Sequence, residues 1–420
     1  MTEQTPENTP GNPALLRGMT QRRYGRRDVL RLGGIAAAGL GLAACGVAGA
    51  GKKVSLTQAQ RIAAAYWPKQ HQHGVVNFAN WPLYIDPDHE TLKMFTQQTG
   101  INVHYSEVIQ DDPSWFAKID PIIRSGQSIG YDVMVVTDGF EFSDLVALQE
   151  LTPLDQSMLK NFHKHAAPKF QRRSFDPGNT YSIPWASGST GIAWNPKYVS
   201  GPITSINELW NPKYKGHVGM MSDIQEIGNF GLIKLGIDPE TSTEADWRKA
   251  AQALKEQRQA GIVRQYYDQS YISALTQGNI WITMAWSGDI FQQNVSAGTN
   301  LQFAVPQEGG NIWTDNMMIP KHAQNPVDAM KLMDWFYKPE IAALLTEGIN
   351  YITAVPDARQ IITTDAAKAT GSKATALRQV ANSSLVWPSA ETYRRLYNYV
   401  SVSGAHVDAY KSIFEPVVAG

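Results

Sequence analysis

Short apolar runs alternate with helical patterns between residues 75 and 136, and this alternation restricts the chain to few folds. The runs that are typical of strands lie at 75–79, 101–105 and 131–136. Helical patterns occupy the two intervals, at 88–99 and 115–123, and Gly100 and Gly126 end them. Because the last run is almost continuously apolar, it fits a strand that is buried on both faces of a parallel sheet. This strand–helix order predicts an α/β lobe.

The pattern changes near residues 181–185, and a second set of elements follows. Further strand-like runs lie at 191–194, 217–221, 280–286, 301–305 and 312–319. Helical patterns occupy 244–259 and 326–348, and Pro339 interrupts the second of them. No repeat of about 20–50 residues is visible, so the sequence does not indicate a solenoid or a propeller. The chain therefore has the elements for a second α/β region.

The charge balance and the single cysteine exclude several classes of protein. The chain has 37 Lys and Arg against 38 Asp and Glu, whereas nucleic-acid binding requires a basic surface. One cysteine excludes an intrachain disulfide framework and a zinc site with several thiolates. Walker A, G-x-S-x-G and H-E-x-x-H motifs are absent from the sequence. His71 with His73 and His163 with His165 are interpreted as surface pairs, so we predict neither a metal nor a cofactor.

The N-terminal segment has the features of an export and anchoring signal. Arg26 and Arg27 precede an apolar run at 32–44, which is the layout of a twin-arginine signal. The run is about 13 residues long and too short to span a bilayer. Cys45 follows a small-residue stretch that resembles a bacterial lipobox. We expect a twin-arginine lipoprotein signal peptide at 1–44 and a lipid-anchored tether at 45–72.

Aromatic and acidic residues recur where predicted strands end, whereas Lys and Arg do not. These residues are Trp81, Tyr84, Asp223, Glu226, Trp286, Asp289, Trp313 and Asp315. In open α/β sheets, ligands bind beyond the carboxyl ends of the strands. Because an anionic ligand group would require a base, the pattern favours a cationic ligand with an apolar stem. A polyamine has this chemistry, since its ammonium groups bind carboxylates and its methylene chain packs on aromatic faces.

Each of these residues also has a purely structural interpretation. The structural roles are helix capping for Asp223 with Glu226 and for Asp289, core packing for Trp286 and Trp313, and loop packing for Trp81 and Tyr84. Asp138 follows the run at 131–136, and we expect it to cap the next helix rather than to bind an amine. The shared placement of the residues at strand ends favours a common site.

Seven motifs occur in a fixed order between residues 75 and 400. They are NFANWPLYI at 77–85, QTGINV at 98–103, GYDV at 130–133, YSIPW at 181–185, WNPKYKG at 210–216, WSGD at 286–289 and PQEGGNIWTD at 306–315. In this combination they resemble the polyamine (spermidine/putrescine) substrate-binding proteins of bacterial ABC importers. Any single motif would be unspecific.

The resemblance implies an α/β, two-lobe periplasmic-binding-protein fold of type II, with hinge crossovers near 183–186 and 310–314. The lobes would be 73–183 plus 314–352 and 184–313 plus 353–420. The implied aromatic box consists of Trp81, Tyr84, Trp286, Trp313 and Tyr351, and the implied amine-binding acids are Asp223, Glu226, Asp289 and Asp315. These acids combine putrescine-type and spermidine-type patterns. The resemblance therefore does not indicate which polyamine the protein prefers.

The combined prediction is a monomeric, extracytoplasmic lipoprotein that binds a polyamine and delivers it to the permease subunits of an ABC transporter. Two alternatives stay open at this point. One is a receptor for another small cationic or organic solute. The other is an extracytoplasmic hydrolase that uses paired carboxylates. Saturable binding without turnover distinguishes a receptor from a hydrolase.

Overall fold

The computed structural model describes residues 56–82, 84–400, 402 and 404–419. The predicted signal peptide at 1–44, Cys45 and the first part of the predicted tether lie outside the described residues. None of the described helices is long and apolar enough to cross a membrane.

The described residues alternate between strands and helices over most of their length. The strands are β1 (Val75–Asn80), β2 (Asn102–Glu107), β3 (Val133–Thr137), β4 (Ser182–Trp194), β5 (Val218–Met221), β6 (Val263–Tyr267), β7 (Ile282–Trp286), β8 (Gln302–Ala304), β9 (Gly310–Met318) and β10 (Leu396–Tyr397). The helices are α1 (Leu56–Tyr66), α2 (Glu90–Thr99), α3 (Asp112–Arg124), α4 (Phe140–Ala147), α5 (Lys160–His165), α6 (Ile224–Lys234), α7 (Glu244–Gln259), α8 (Tyr271–Thr276), α9 (Ser287–Ala297), α10 (Pro326–Trp335), α11 (Pro339–Ile349), α12 (Ala358–Lys368), α13 (Gly371–Asn382), α14 (Ala390–Arg394) and α15 (Ala405–Ala419).

The strands form one sheet with parallel ends and an antiparallel centre. The order along its main path is β2-β1-β3-β9-β4-β7-β5-β6, with β10 beside β9 and β8 beside β4. At one end β1 pairs in parallel with β2 and β3, and at the other β5 pairs in parallel with β6 and β7. The central strands β4 and β9 are antiparallel to each other and to their outer neighbours β3 and β7. Each parallel end therefore forms its own βαβ-wound lobe.

The long strands β4 and β9 connect the two lobes. At the start of β4, Ile183 and Trp185 are buried in a core that also contains Phe78 of β1. Towards its end, Ile192 and Trp194 are buried in a second core. The predicted two-lobe fold with hinge crossovers is therefore confirmed.

The C-terminal region is divided between the two cores. Ile362 of α12 and Val380 of α13 are buried with Phe78 in the first core, whereas Tyr410 and Phe414 of α15 are buried in the second. The predicted division places all of 353–420 in the second lobe. The packing differs from that division over α12 and α13, because an apolar helix face does not itself specify which of two cores will cover it. The other predicted lobe boundaries stay predictions.

The close approach of β4 and β9 generates a testable prediction about stability. Gly188 is the register partner of Trp313, and the indole ring occupies the space that a Cβ atom at position 188 would need. We expect Gly188→Ala to destabilise the protein by about 1–3 kcal/mol through overpacking, measured by chemical denaturation. Adding Trp313→Phe removes the outer part of the ring and should recover most of that loss. Independent, additive effects of the two changes would contradict the packing argument.

Candidate functional site

The predicted site residues come from both sides of the β4–β9 crossover. Trp313 and Asp315 lie on β9, Trp286 ends β7, and Asp289 lies in the first turn of α9. The start of α6 and the segments after β1 and α11 supply the remaining residues, which are Asp223, Glu226, Trp81, Tyr84 and Tyr351. The crossover therefore brings together residues that are up to 270 positions apart in sequence, namely Trp81 and Tyr351.

Asp315 is a buried carboxylate that receives hydrogen bonds from two hydroxyl groups. It is 6% exposed. Tyr84 donates its hydroxyl to Oδ2 at 2.5 Å, and Thr137 donates its hydroxyl to Oδ1 at 2.7 Å. Thr137 is the register partner of Asp315 across the antiparallel β3–β9 pair, which explains why the two side chains meet. The loop after β1 and the end of β3 thus hold this carboxylate in one orientation.

Asp289 is a second buried carboxylate bound by phenol groups. It is 4% exposed. The Tyr271 hydroxyl donates to Oδ2 at 2.8 Å, and the Tyr351 hydroxyl donates to Oδ1 at 3.4 Å. The alternative that Asp289 is an N-cap is wrong, because the N-cap of α9 is Trp286 and Asp289 lies three residues further on. Tyr351 and Asp289 come from different segments, so the contact joins two parts of the predicted site.

Glu226 is fully buried and is the centre of a hydrogen-bond network. Thr190, Trp286 and Tyr399 donate to Oε1 at 2.6, 2.7 and 2.8 Å. Asn311 donates its amide to Oε2 at 2.5 Å. Burial and the neighbouring Asp223 raise the pKa of Glu226 to about 7 despite these donors. The network fixes the orientation of the Trp286 indole.

Asp223 has a different position from the other three acids. It is exposed, it is the N-cap of α6, and its Oδ1 accepts from the backbone N–H groups of Gln225 at 2.7 Å and Glu226 at 3.2 Å. The predicted capping role of Asp223 is therefore confirmed. The predicted capping partner Glu226 instead directs its carboxylate to the network around Trp286.

Four of the five predicted aromatic residues form a continuous set of ring contacts. Ring centroids are 6.5 Å apart for Trp286 and Trp313 and 5.5 Å apart for Trp313 and Tyr351. Tyr84 meets the Tyr351 ring edge-on, also at 5.5 Å. The fifth residue, Trp81, is half-buried and donates its indole N–H to the carbonyl of Val135 at 3.1 Å. The rings therefore form a wall that runs from Asp315 towards Glu226.

Sequence reasoning missed several residues that complete this site. They are Thr137, Thr190, Tyr271, Asn311 and Tyr399, each of which donates to one of the three buried acids. Asn311 stands two positions before Trp313, and the alternation of side chains along a strand could have indicated that the two share a face. For Tyr399, which lies far along the chain in a short aromatic stretch, no local pattern indicates the contact.

The prediction for Asp138 is wrong. The N-cap of α4 is Gly139, and the Asp138 carboxylate accepts the backbone N–H of Thr314 on β9. Burial raises the pKa of Asp138 to about 7, and Arg173 opposes this rise. The Arg173 guanidinium donates to the Thr314 hydroxyl at 2.8 Å. The basic residue Arg173 therefore lies beside Thr314 of β9, and it belongs to the loop before β4 rather than to the end of a strand.

Comparisons with known proteins identify the family. Residues 90–375 match the family model described as bacterial extracellular solute-binding protein. The chain belongs to this family. It is accordingly a solute-binding protein that acts outside the cytoplasm, and the alternative of a hydrolase is wrong.

Individual relatives agree with this assignment. The spermidine/putrescine-binding periplasmic protein of Escherichia coli is 29% identical over 82% of this chain and 91% of its own length. The putrescine-binding periplasmic protein SpuD of Pseudomonas aeruginosa is 30% identical over 77% of this chain and 86% of its own length. The crystal structure of the spermidine/putrescine ABC transporter substrate-binding protein PotD from Streptococcus pneumoniae has a TM-score of 0.69 at 26% identity, covering 82% of this chain and 98% of that one. The resemblance drawn from the sequence motifs is thus confirmed.

The raised pKa of Glu226 predicts how the stability of this solute-binding protein depends on pH. The pKa of Glu226 rises from its ordinary value of 4.5 to about 7 on folding. Between these two values, the folded state therefore binds a proton that the unfolded chain releases. Its stabilising contribution is complete below pH 4.5 and is lost as the pH rises through about 7. We expect the ligand-free protein to have a lower free energy of unfolding at pH 8 than at pH 5.5, by about 1–3 kcal/mol.

The variant Glu226→Gln is the control for this measurement, because its amide does not titrate. The difference in unfolding free energy between the two pH values should shrink in the variant, leaving the part that Asp138 and other groups contribute. Chemical denaturation of both proteins at both pH values gives the comparison. An identical pH dependence in the two proteins would contradict the assignment to Glu226.

Proposed function

We propose that the protein is a lipid-anchored, extracytoplasmic receptor that binds a linear polyamine and delivers it to an ABC permease. The observation that carries this proposal is the placement of three buried carboxylates along one aromatic wall between two lobes. The carboxylates are those of Glu226, Asp289 and Asp315, and each is at most 6% exposed. Relatives that are named for spermidine, putrescine, cadaverine and agmatine support the class of ligand.

The electrostatics of the site favour a ligand with several separated positive charges. Burying a carboxylate without a counter-ion costs several kcal/mol, and the raised pKa of Glu226 reflects that cost. An ammonium group offsets it through charge-assisted hydrogen bonds of about 1.5–3 kcal/mol net each. The rings of Trp286, Trp313 and Tyr351 add apolar contact for the methylene chain and cation–π attraction of about 0.5–2 kcal/mol. Spacing between acids then discriminates among amines, because an unmatched charge would stay buried and unpaired.

Ligand binding would act on the equilibrium between open and closed forms. Asp315 and Tyr84 belong to the side of the first core, whereas Glu226 lies on α6 against the second. A polyamine that contacts both groups stabilises only the arrangement in which the lobes are together. A permease that recognises this arrangement would receive the loaded receptor in preference to the empty one.

The first prediction from this proposal concerns Asp315. Replacing Asp315 with Asn keeps the shape of the side chain but removes its charge, so we expect affinity for putrescine or spermidine to fall by about 1.5–3 kcal/mol, roughly 10- to 150-fold. Isothermal titration calorimetry measures this change. Asp365→Asn is the matched control, since Asp365 pairs with Lys368 on the surface of α12. Unchanged affinity in Asp315→Asn would remove Asp315 from the binding site.

The second prediction concerns anchoring. Cys45 follows the lipobox-like stretch at 42–44, and a thioether-linked diacylglycerol together with an amide-linked chain would give stable membrane attachment. We expect Cys45→Ser to move the protein from the membrane fraction to the soluble fraction after export. Ala48→Ser introduces the same side chain three residues later and should leave fractionation unchanged. If Cys45→Ser stayed in the membrane fraction to the same extent as the protein with its original cysteine, that result would contradict lipid anchoring at this residue.

A further inference from the structure

Helix α4 belongs to the first lobe, but its first residue is buried in the second one. Phe142 and Leu145 of α4 are buried with Met134 of β3, in a cluster that covers one face of the first lobe's strands. Phe140, by contrast, is 2% exposed and lies in the second core, among residues of the other lobe. The start of α4 therefore forms a contact between the lobes.

The Phe140 ring packs into an aromatic cluster of the second lobe. Its centroid lies 5.0 Å from that of Tyr410 on α15, and the two rings meet edge-on. Tyr410 in turn contacts Trp247 of α7 at 5.0 Å and Phe414 of α15 at 4.5 Å. Aromatic pairs with this geometry are favourable beyond the apolar area that they bury. The second lobe thus supplies the apolar surroundings of a ring that the first lobe contributes.

Two hydrogen bonds between the lobes accompany this ring contact. Asp144, which lies four residues after Phe140 and on the same face of α4, accepts the backbone N–H of Gly404 at 3.1 Å. Gly404 directly precedes α15, so this carboxylate stands at the positive end of that helix. The backbone N–H of Phe140 donates to the side-chain carbonyl of Gln225 on α6 at 3.2 Å. The start of α4 is thus docked on both α15 and α6.

The docked helix lies next to the proposed slot without forming part of it. Thr137, three positions before Phe140, donates its hydroxyl to Asp315. On the other lobe, Glu226 directly follows Gln225. The docking contact supplies none of the three buried carboxylates and none of the rings of the aromatic wall. A movement that separated the lobes at the slot would nevertheless also separate α4 from α6 and α15.

Separation of the lobes would expose the Phe140 ring to water. The free-energy cost of exposing apolar surface is proportional to its area and does not depend on a ligand. This contact consequently favours the closed arrangement before a ligand arrives. The apparent affinity of a receptor is its intrinsic affinity reduced by the fraction of molecules in the binding-competent state. A contact that enlarges the closed fraction therefore raises the affinity.

Ordinary packing within one lobe is the alternative role for an aromatic residue of α4, and Phe142 illustrates it. Phe142 is 1% exposed, and its ring meets that of Phe175 at 5.5 Å within the first lobe. Loss of either ring, at position 140 or 142, should lower the stability of the protein, because each leaves a cavity. Only the ring at 140 is shared between the lobes, so the two residues form a matched pair.

We propose that Phe140 and Asp144 are positioning residues for ligand capture, which dock α4 on α15 and thereby favour closure of the lobes independently of the ligand. The inference rests on the proposed function only where affinity for an amine is concerned. The C-terminal helix α15, which supplies no residue of the proposed slot, thereby contributes to the affinity of the receptor.

The test measures closure and affinity separately on variants of the full chain. Small-angle X-ray scattering of the ligand-free proteins should give a larger radius of gyration for Phe140→Ala than for the unmodified protein, and saturating spermidine should remove the difference. Isothermal titration calorimetry with spermidine should show a loss of about tenfold for Phe140→Ala. Phe140→Leu retains most of the buried apolar surface and should lose less than about threefold.

The matched control is Phe142→Ala, which should lower the thermal midpoint but leave the ligand-free radius and the affinity for spermidine unchanged. Equal losses of affinity in Phe140→Ala and Phe142→Ala, or an unchanged ligand-free radius in Phe140→Ala, would overturn the inference. If the unmodified protein bound no amine, the proposed function would fail, whereas the scattering comparison would still decide whether the contact closes the lobes.

A second variant keeps the inference testable if Phe140→Ala does not fold. Asp144→Ala removes a half-buried acceptor instead of a core ring. We expect this variant to have a larger ligand-free radius and to lose about threefold in affinity for spermidine. An unchanged radius and affinity in folded Asp144→Ala would contradict the docking of α4 on α15 as a determinant of closure.

Discussion

The antiparallel pairing of β4 with β9 is the interaction on which the rest of the site depends. Its register sets Thr190 opposite Asn311 and Gly188 opposite Trp313. Thr190 and Asn311 both donate to the Glu226 carboxylate, and the missing side chain at Gly188 leaves room for the indole. A shift of one residue would turn these side chains to the opposite face of the sheet. The β4–β9 pair thereby fixes the relative positions of two donors to Glu226 and of the Trp313 indole.

Desolvation of carboxylates is the second constraint, and the protein meets it in two ways. Around Glu226, four neutral donors stabilise the anion without removing its charge, and its pKa still rises to about 7. Behind β9, Asp138 has the charged neighbour Arg173, whose guanidinium also binds Thr314. The pKa of Asp138 is nevertheless also raised to about 7, so neither the neutral donors nor the guanidinium fully offsets the cost of burial.

Much of the fold could be predicted from the sequence because it depends on local pattern. The apolar run that became β3 and the strand–helix alternation around it specify a parallel lobe without reference to distant residues. The motif that contains Trp313 and Asp315 placed both on a strand, and the structure has them on β9. The packing of α12 and α13 against the first core differs from the predicted division, because both helices have apolar faces that either core could have covered.

The residues that escaped prediction share a physical cause. Asp138 follows a strand and precedes a helix, so its local sequence is that of a cap, and only the neighbouring β9 supplies the backbone N–H that it binds. Tyr399 reaches Glu226 from 173 positions away, so its part in the site exists only once the two crossing strands have brought the lobes together.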